Sequence, residues 1–157
     1  MARQMPLTQK QKYEAYDHRS KEILIDFDGT LATWAYPALG EPTPGAKEAV
    51  EELRKEGYKV IVWTSRMDPS IYTQFEIGQA HSKIRQWLYE NCIEVDGIDW
   101  GDKGKRLALA YIDDRGVSFN GNWELALERV AFIRYKTEVE KLGRDAGESN
   151  SPVDPGD

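Results

Sequence analysis

Apolar and polar residues alternate along this chain in two periods, and the switches between them divide it into elements. Ile23 to Phe27 is a short, almost unbroken apolar run, which predicts a strand covered on both faces. Ala46, Ala49, Val50 and Leu53 then recur at i, i+3, i+4, i+7. Thr43 is the predicted N-cap, Pro44 the first helical residue and Gly57 the stop, so this stretch predicts one amphipathic helix. The run "YKVIVWTSR" predicts a second buried strand, and Ile77, His81, Ile84 and Leu88 mark a second helix ending near Asn91. Ile93 to Val95 and "LALAYIDD" read as further strands. From Asn122 the pattern is helical, with Leu127, Val130, Ile133 or Arg134, and Tyr135 expected to cover the sheet.

Strands alternating with helices imply βαβ units, and hence an α/β fold: a Rossmann-like three-layer sandwich around a mainly parallel sheet. Residues 1–20 are polar, with a short helix expected around Gln9 to Tyr16, and read as a flexible arm. Residues 21–142 form the predicted domain. Gly143 to Asp157 carries Asp145, Glu148, Asp154 and Asp157 against Arg144 alone, and reads as a disordered acidic tail.

At 157 residues the chain is about one domain long, and it can bury a real core. Its net charge of -6, with no Lys/Arg run, disfavours a long polynucleotide as partner. No apolar run approaches membrane-spanning length, and "MARQMPLTQK" lacks the apolar core of a signal peptide. The single cysteine, Cys92, excludes an internal disulfide and reads as a small packed side chain. These features suit a cytoplasmic protein without a membrane partner; a homo-oligomer is compatible with them.

The candidate chemistry lies at the strand ends. Asp26 and Asp28 close the first strand, two apart and so directed to one side, although Asp28-Gly29 between apolar runs is also a hairpin signal. Thr64, Ser65 and Arg66 close the second strand. Asp113, Asp114 and Arg115 close the last, with Lys105 just ahead of it. In open parallel sheets ligands bind beyond these carboxyl ends, where the strand order reverses. An isolated hairpin gives no reason for three such ends. Converging carboxylates make a hard-cation site or a nucleophile and acid pair.

Taken together, "DFDGT", the Thr64 of "VIVWTSR", a lysine and the acidic pair of "YIDDR" resemble, in order, the four short motifs of the haloacid dehalogenase-like (HAD) phosphohydrolases. The resemblance spans Ile23 to about Trp123. It implies that Asp26 is the nucleophile that forms an aspartyl-phosphate, and that Asp28 is the general acid and later the base. It further implies that Mg2+ is held by Asp26, the Asp28 backbone carbonyl and Asp113, with Asp114 assisting. Thr64 would hydrogen-bond the phosphoryl group, with backbone amides at Gly29 and Thr30 contributing, and Lys105, preferred over Lys103 on spacing, would neutralise it. Relatives usually carry a proline after that lysine; here Arg106 stands there. Leu31 to Gly45 leaves room only for a flap, and Met67 to Asp102 for one helix and a short strand, so the chain resembles the capless subclass, whose substrates the resemblance does not fix.

Trp34 and Tyr36 on the flap either stack on a substrate ring or pack within the loop. Arg66 either pairs with a substrate anion or bridges to Asp114, and Arg115 has the same two options. Trp63 reads as core, His81 as a packed histidine, and His18 as part of the arm. The leading function is a Mg2+-dependent phosphatase acting on a small phosphomonoester, such as a nucleotide. A nucleic-acid end phosphatase and a non-catalytic HAD-like binding module are the alternatives.

Overall fold

In the computed structural model, which describes residues 5–148, four parallel strands form one sheet. They are β1 Glu22–Ile25, β2 Lys59–Val62, β3 Gly97–Ile98 and β4 Ala110–Ile112, in the order β3-β2-β1-β4. The chain divides into two compact units after Asp114. The architecture is α/β and Rossmann-like, and no helix among the described residues is long and apolar enough to cross a membrane.

Burial follows the strand alternation. Ile23 and Ile25 of β1 lie beside Val60 and Val62 of β2 and face one core cluster. Helix α2, Ala46–Lys55, adds Val50 to it; helix α3, Gln74–Glu90, adds Ile77, Ile84, Trp87 and Leu88. Each such side chain stabilises the fold by about 1.5–3 kcal/mol relative to exposure. Leu24 and Ile61 point to the opposite face and are also buried. On that side the rings of Trp63 and Tyr111 meet at 5.7 Å, so Trp63 is a half-buried residue just past β2 and not a core strand position.

Several boundaries differ from the sequence reading. Helix α1, Gln9–Arg19, runs three residues beyond the expected Tyr16; Thr8 and Gln11 cap it reciprocally, and none of its residues is buried. The N-cap of α2 is Gly45, at φ 81°, while the Thr43 hydroxyl donates to the Thr30 carbonyl at 2.6 Å and ties the flap instead. Ile93 is buried outside any strand, because pairing with β2 starts only at Asp96, whose N–H donates to Val60 O at 2.8 Å. Cys92 is exposed at φ 55°, just past the end of α3, and is not the packed side chain expected.

Asn122 Oδ1 accepts the N–H groups of Glu124 and Leu125 and starts helix α4, Trp123–Glu148. Leu127, Val130 and Tyr135 are exposed on it. The helix enters the segment expected as an acidic tail, of which residues 149–157 lie outside the described residues. The flap, residues 31–45, holds no helix or strand, only isolated bridges from Ala32 to Asp28 and Pro42.

Candidate functional site

From β1 the chain steps outward through β2 to β3, then returns to the far side of β1 as β4. The order therefore reverses between β1 and β4, the place where such sheets bind ligands. Ile25 pairs with Ile112, and the Asp26 N–H donates to the Ile112 carbonyl at 2.9 Å, so the register extended by one residue sets Asp26 opposite Asp113. One carboxylate oxygen from each of Asp26, Asp113 and Asp114 lies within 4.8 Å of the others.

Gly29 makes room for this cluster. Its φ is 83°, and a Cβ there would stand 2.5 Å from Asp114 Oδ2. The glycine of "DFDGT" thus serves the turn and the approach of Asp114 together. Burial is the main cause that pushes the Asp26 carboxyl up to about 7; the nearby Asp113 adds to the shift, and the Phe27 N–H opposes it. An oxygen-only set of three carboxylates fits a hard cation of the Mg2+ type and gives zinc no nitrogen or sulfur ligand.

Asp28 turns elsewhere. Its two oxygens accept from Arg66 Nε and Nη2 at 2.6 and 2.7 Å, and both side chains are buried. Arg66 also donates to the carbonyls of Pro37 and Ala38 at 2.8 and 2.7 Å and lies 5.0 Å from the Tyr36 ring centroid. The expected bridge from Arg66 to Asp114 is thus replaced by one to Asp28, and the Asp28 carboxylate is committed away from the aspartate cluster. The cause is local: Thr64 Oγ1 accepts the Arg66 N–H at 3.2 Å and caps the short turn Ser65–Met67, which carries Arg66 beneath the flap.

Thr64 is buried and keeps its hydroxyl proton as a donor, whereas Ser65 is exposed. The amides expected to cradle a phosphate are used inside the turn, Gly29 N–H on Ala32 O at 2.8 Å and Thr30 N–H on Phe27 O at 3.3 Å. The Thr30 hydroxyl, by contrast, is buried with no hydrogen-bond partner among the described residues. Lys105 is exposed, its ammonium 5.8 Å from the Tyr111 ring centroid. Lys103 is exposed too; against the opposing effect of burial, the Asp99 carboxyl is held down chiefly by its hydrogen bond from Arg106, with Lys103 the smallest contributor. Arg106, at the place of the proline, is structural: it pairs with Glu22 at 2.8 Å and Asp99 at 2.5 Å.

Trp34 and Tyr36 stack on each other at 6.1 Å. The Tyr36 hydroxyl lies 2.8 Å from that of Tyr72, a hydrogen bond that pushes the Tyr72 phenol up to about 12. Tyr72 carried no sequence signal beyond being an aromatic residue in a polar loop. His81 is half-buried and stacks flat on Trp100 at 3.7 Å, as a packed histidine would. Two clefts open near these groups: one of ≈ 430 Å3 between the flap and α3, and one of ≈ 290 Å3 beside Trp63, Thr64 and Asp68.

The sheet and the site define a Rossmann-like α/β protein with a carboxylate cluster at its strand-order reversal. No protein-family model matches the chain, and no curated protein matches it. Among solved structures it is similar to a conserved protein from Bacteroides thetaiotaomicron, at 26% identity over 73% of this chain and 90% of that one, with a TM-score of 0.44. A protein from Vibrio cholerae is 22% identical over 71% of this chain and 98% of that one, with a TM-score of 0.43. The fold assignment rests on the strand order and burial described above.

Proposed function

We propose that this chain is a capless HAD-type phosphohydrolase that cleaves a small phosphomonoester through an aspartyl-phosphate on Asp26. The observation that carries the reading is the convergence of Asp26 with Asp113 and Asp114 at the reversal between β1 and β4. Those three carboxylates would hold Mg2+, which when bound supplies charge neutralisation and orientation for the phosphoryl group. Asp26 then attacks phosphorus as the ionised carboxylate, and the ester oxygen departs with its electron pair. The hydroxyls of Thr64 and Thr30 donate to phosphoryl oxygens. Lys105 joins them by exchanging the Tyr111 ring for the substrate.

Asp28 takes a proton from water in the second half of the reaction, so that hydroxide releases phosphate and regenerates Asp26. Giving a proton to the first leaving group requires Arg66 to loosen, or a leaving group that departs unprotonated. The bidentate Arg66 contact and the position of Lys105 favour one second reading, a HAD-like module that binds a phosphorylated ligand without turning it over. Action on nucleic-acid ends is disfavoured by the net charge of -6, and a single cysteine suits the cytoplasm.

One screen separates these readings. Phosphate release is measured over nucleotides, sugar phosphates, p-nitrophenyl phosphate and end-phosphorylated oligonucleotides, with Mg2+ present or chelated. Mg2+-dependent release from small esters supports the phosphohydrolase. Binding of the same esters without release supports the module, and release that survives chelation overturns the assignment of the aspartates.

A further inference from the structure

The cleft between the flap and α3 has a volume of ≈ 430 Å3, and its walls include Tyr36, Arg66, Tyr72, Glu76, Gln79 and Lys83. That is within the range of cavities that hold a small organic molecule. We infer that it receives the leaving group of the phosphomonoester, and that this group carries an aromatic base, as in a nucleoside 5′-monophosphate. The inference rests on the reading of Asp26 as nucleophile.

Position is the first argument. Asp28 stands two residues after Asp26, past the end of β1 in the turn that Gly29 and Thr30 complete. Its carboxylate touches Arg66 at 2.6 Å, and Arg66 is part of the cleft wall. An ester whose phosphorus meets Asp26 and whose leaving oxygen faces the acid-base group Asp28 therefore directs that group toward this cleft.

Charge is the second. Arg66 is neutralised by Asp28, and the remaining ionised groups of the wall, Lys83 and Glu76, are opposite in sign. No surplus of cations is left for a second phosphate, so a neutral group is preferred over a diphosphate or bisphosphate tail.

Chemistry is the third. The rings of Tyr36 and Tyr72 supply apolar area for a flat ligand, and the Gln79 amide can both donate and accept. Arg66 has five N–H donors. Its Nε and one Nη2 hydrogen go to Asp28, the other Nη2 hydrogen to Ala38 O, and one Nη1 hydrogen to Pro37 O. The last Nη1 hydrogen is left for an acceptor on the ligand. The cleft beside Trp63 is smaller, and it sets the Asp68 carboxylate, a repulsive charge, next to an incoming phosphate.

Two measurements test this on the full chain. In the first, kcat/KM is compared for adenosine 5′-monophosphate, glycerol 3-phosphate and p-nitrophenyl phosphate, in wild type and in Gln79→Trp, whose added bulk enters the cleft from an exposed helix position. The nucleotide is expected to exceed glycerol 3-phosphate, and the ratio of nucleotide to aryl phosphate to fall about tenfold in the variant. In the second, adenosine is titrated against the 15N-labelled protein, with amide shifts expected at Tyr36, Tyr72, Gln79 and Lys83. An unchanged ratio, shifts confined to Trp63 and Asp68, or no shifts at all would overturn the cleft assignment. Absence of phosphate release from every ester overturns the phosphohydrolase reading instead, and the adenosine titration then decides the cleft by itself.

Discussion

Arg66 grips Asp28 with two hydrogen bonds of 2.6 and 2.7 Å across 38 residues of sequence, and with its remaining reach it holds two flap carbonyls. One side chain thus fixes the second acid of "DFDGT" and closes the loop over it.

Removing that arginine leaves an uncompensated buried carboxylate. Arg66→Met is expected to cost about 3–5 kcal/mol, the usual penalty for breaking a buried pair from one side. Urea unfolding of wild type and variant at one pH checks the size of the loss. The double variant Arg66→Met/Asp28→Asn should recover part of the loss; no recovery would mean that packing, and not charge, carries the effect.

Asp26 couples protons to stability and, on the proposed reading, to metal binding. Its carboxyl sits at about 7 in the folded protein against an ordinary 3.8. Stability from this group is therefore full below about pH 4 and is lost as pH rises through about 7. In chelator, Asp26→Asn should remove this part of the pH dependence and raise the melting temperature at pH 8. Added Mg2+ should stabilise wild type more at pH 8 than at pH 6, because the proton has to leave before a cation binds. An equal Mg2+ response at both values would count against Asp26 as a ligand.

The two acids of "DFDGT" can be told apart by what accumulates. With p-nitrophenyl phosphate, whose leaving group needs no proton, Asp28→Asn should build up phosphoenzyme because no base activates water. Asp26→Asn should form none and release no phosphate. Intact mass after rapid acid quench reads both. A phosphate mapped to any residue other than Asp26 would show the nucleophile to be misassigned.

Gly29→Ala tests the cradle of Asp114. The left-handed φ of 83° alone costs about 1–2 kcal/mol for an alanine. The predicted 2.5 Å approach to Asp114 Oδ2 must be relieved by moving that carboxylate. Mg2+ affinity, measured by calorimetry, should fall more than stability does, whereas Gly57→Ala, at φ 93° with open space around its Cβ position, should lose stability alone.

Strands β1, β2 and β4 and the aspartate cluster were legible because they depend on local pattern, whereas β3 starts at Gly97, past the Ile93-to-Val95 run expected to form it. Ile23 to Phe27 is apolar enough to need cover on both sides, and Asp26, Asp113 and Asp114 stand at ends that a parallel sheet brings together. What escaped the sequence is long-range partner choice. Nothing near Asp28 announces Arg66, and nothing near Tyr36 announces Tyr72, since each pair is set by where the flap lands. Arg106 escaped for a related reason: its partners Glu22 and Asp99 are separated in sequence by the whole first half of the domain, and the motif spacing spoke only of a missing proline.

Much of the flap is fastened through its backbone, beside the side-chain bonds of Thr33, Tyr36 and Thr43. Arg66 holds the carbonyls of Pro37 and Ala38, Trp87 Nε1 donates to that of Gly40 at 2.8 Å, and the Thr33 N–H donates to the Glu41 carbonyl at 2.8 Å. Gly40 itself is constrained, since a Cβ there would stand 2.0 Å from Thr33 O. The side chains at positions 35, 37, 38 and 39 carry none of these bonds. The exposed Ala35 and Ala38 can therefore be rewritten while the loop keeps its path, so that new ligand preferences are open to evolution or to an engineer without first rebuilding the scaffold.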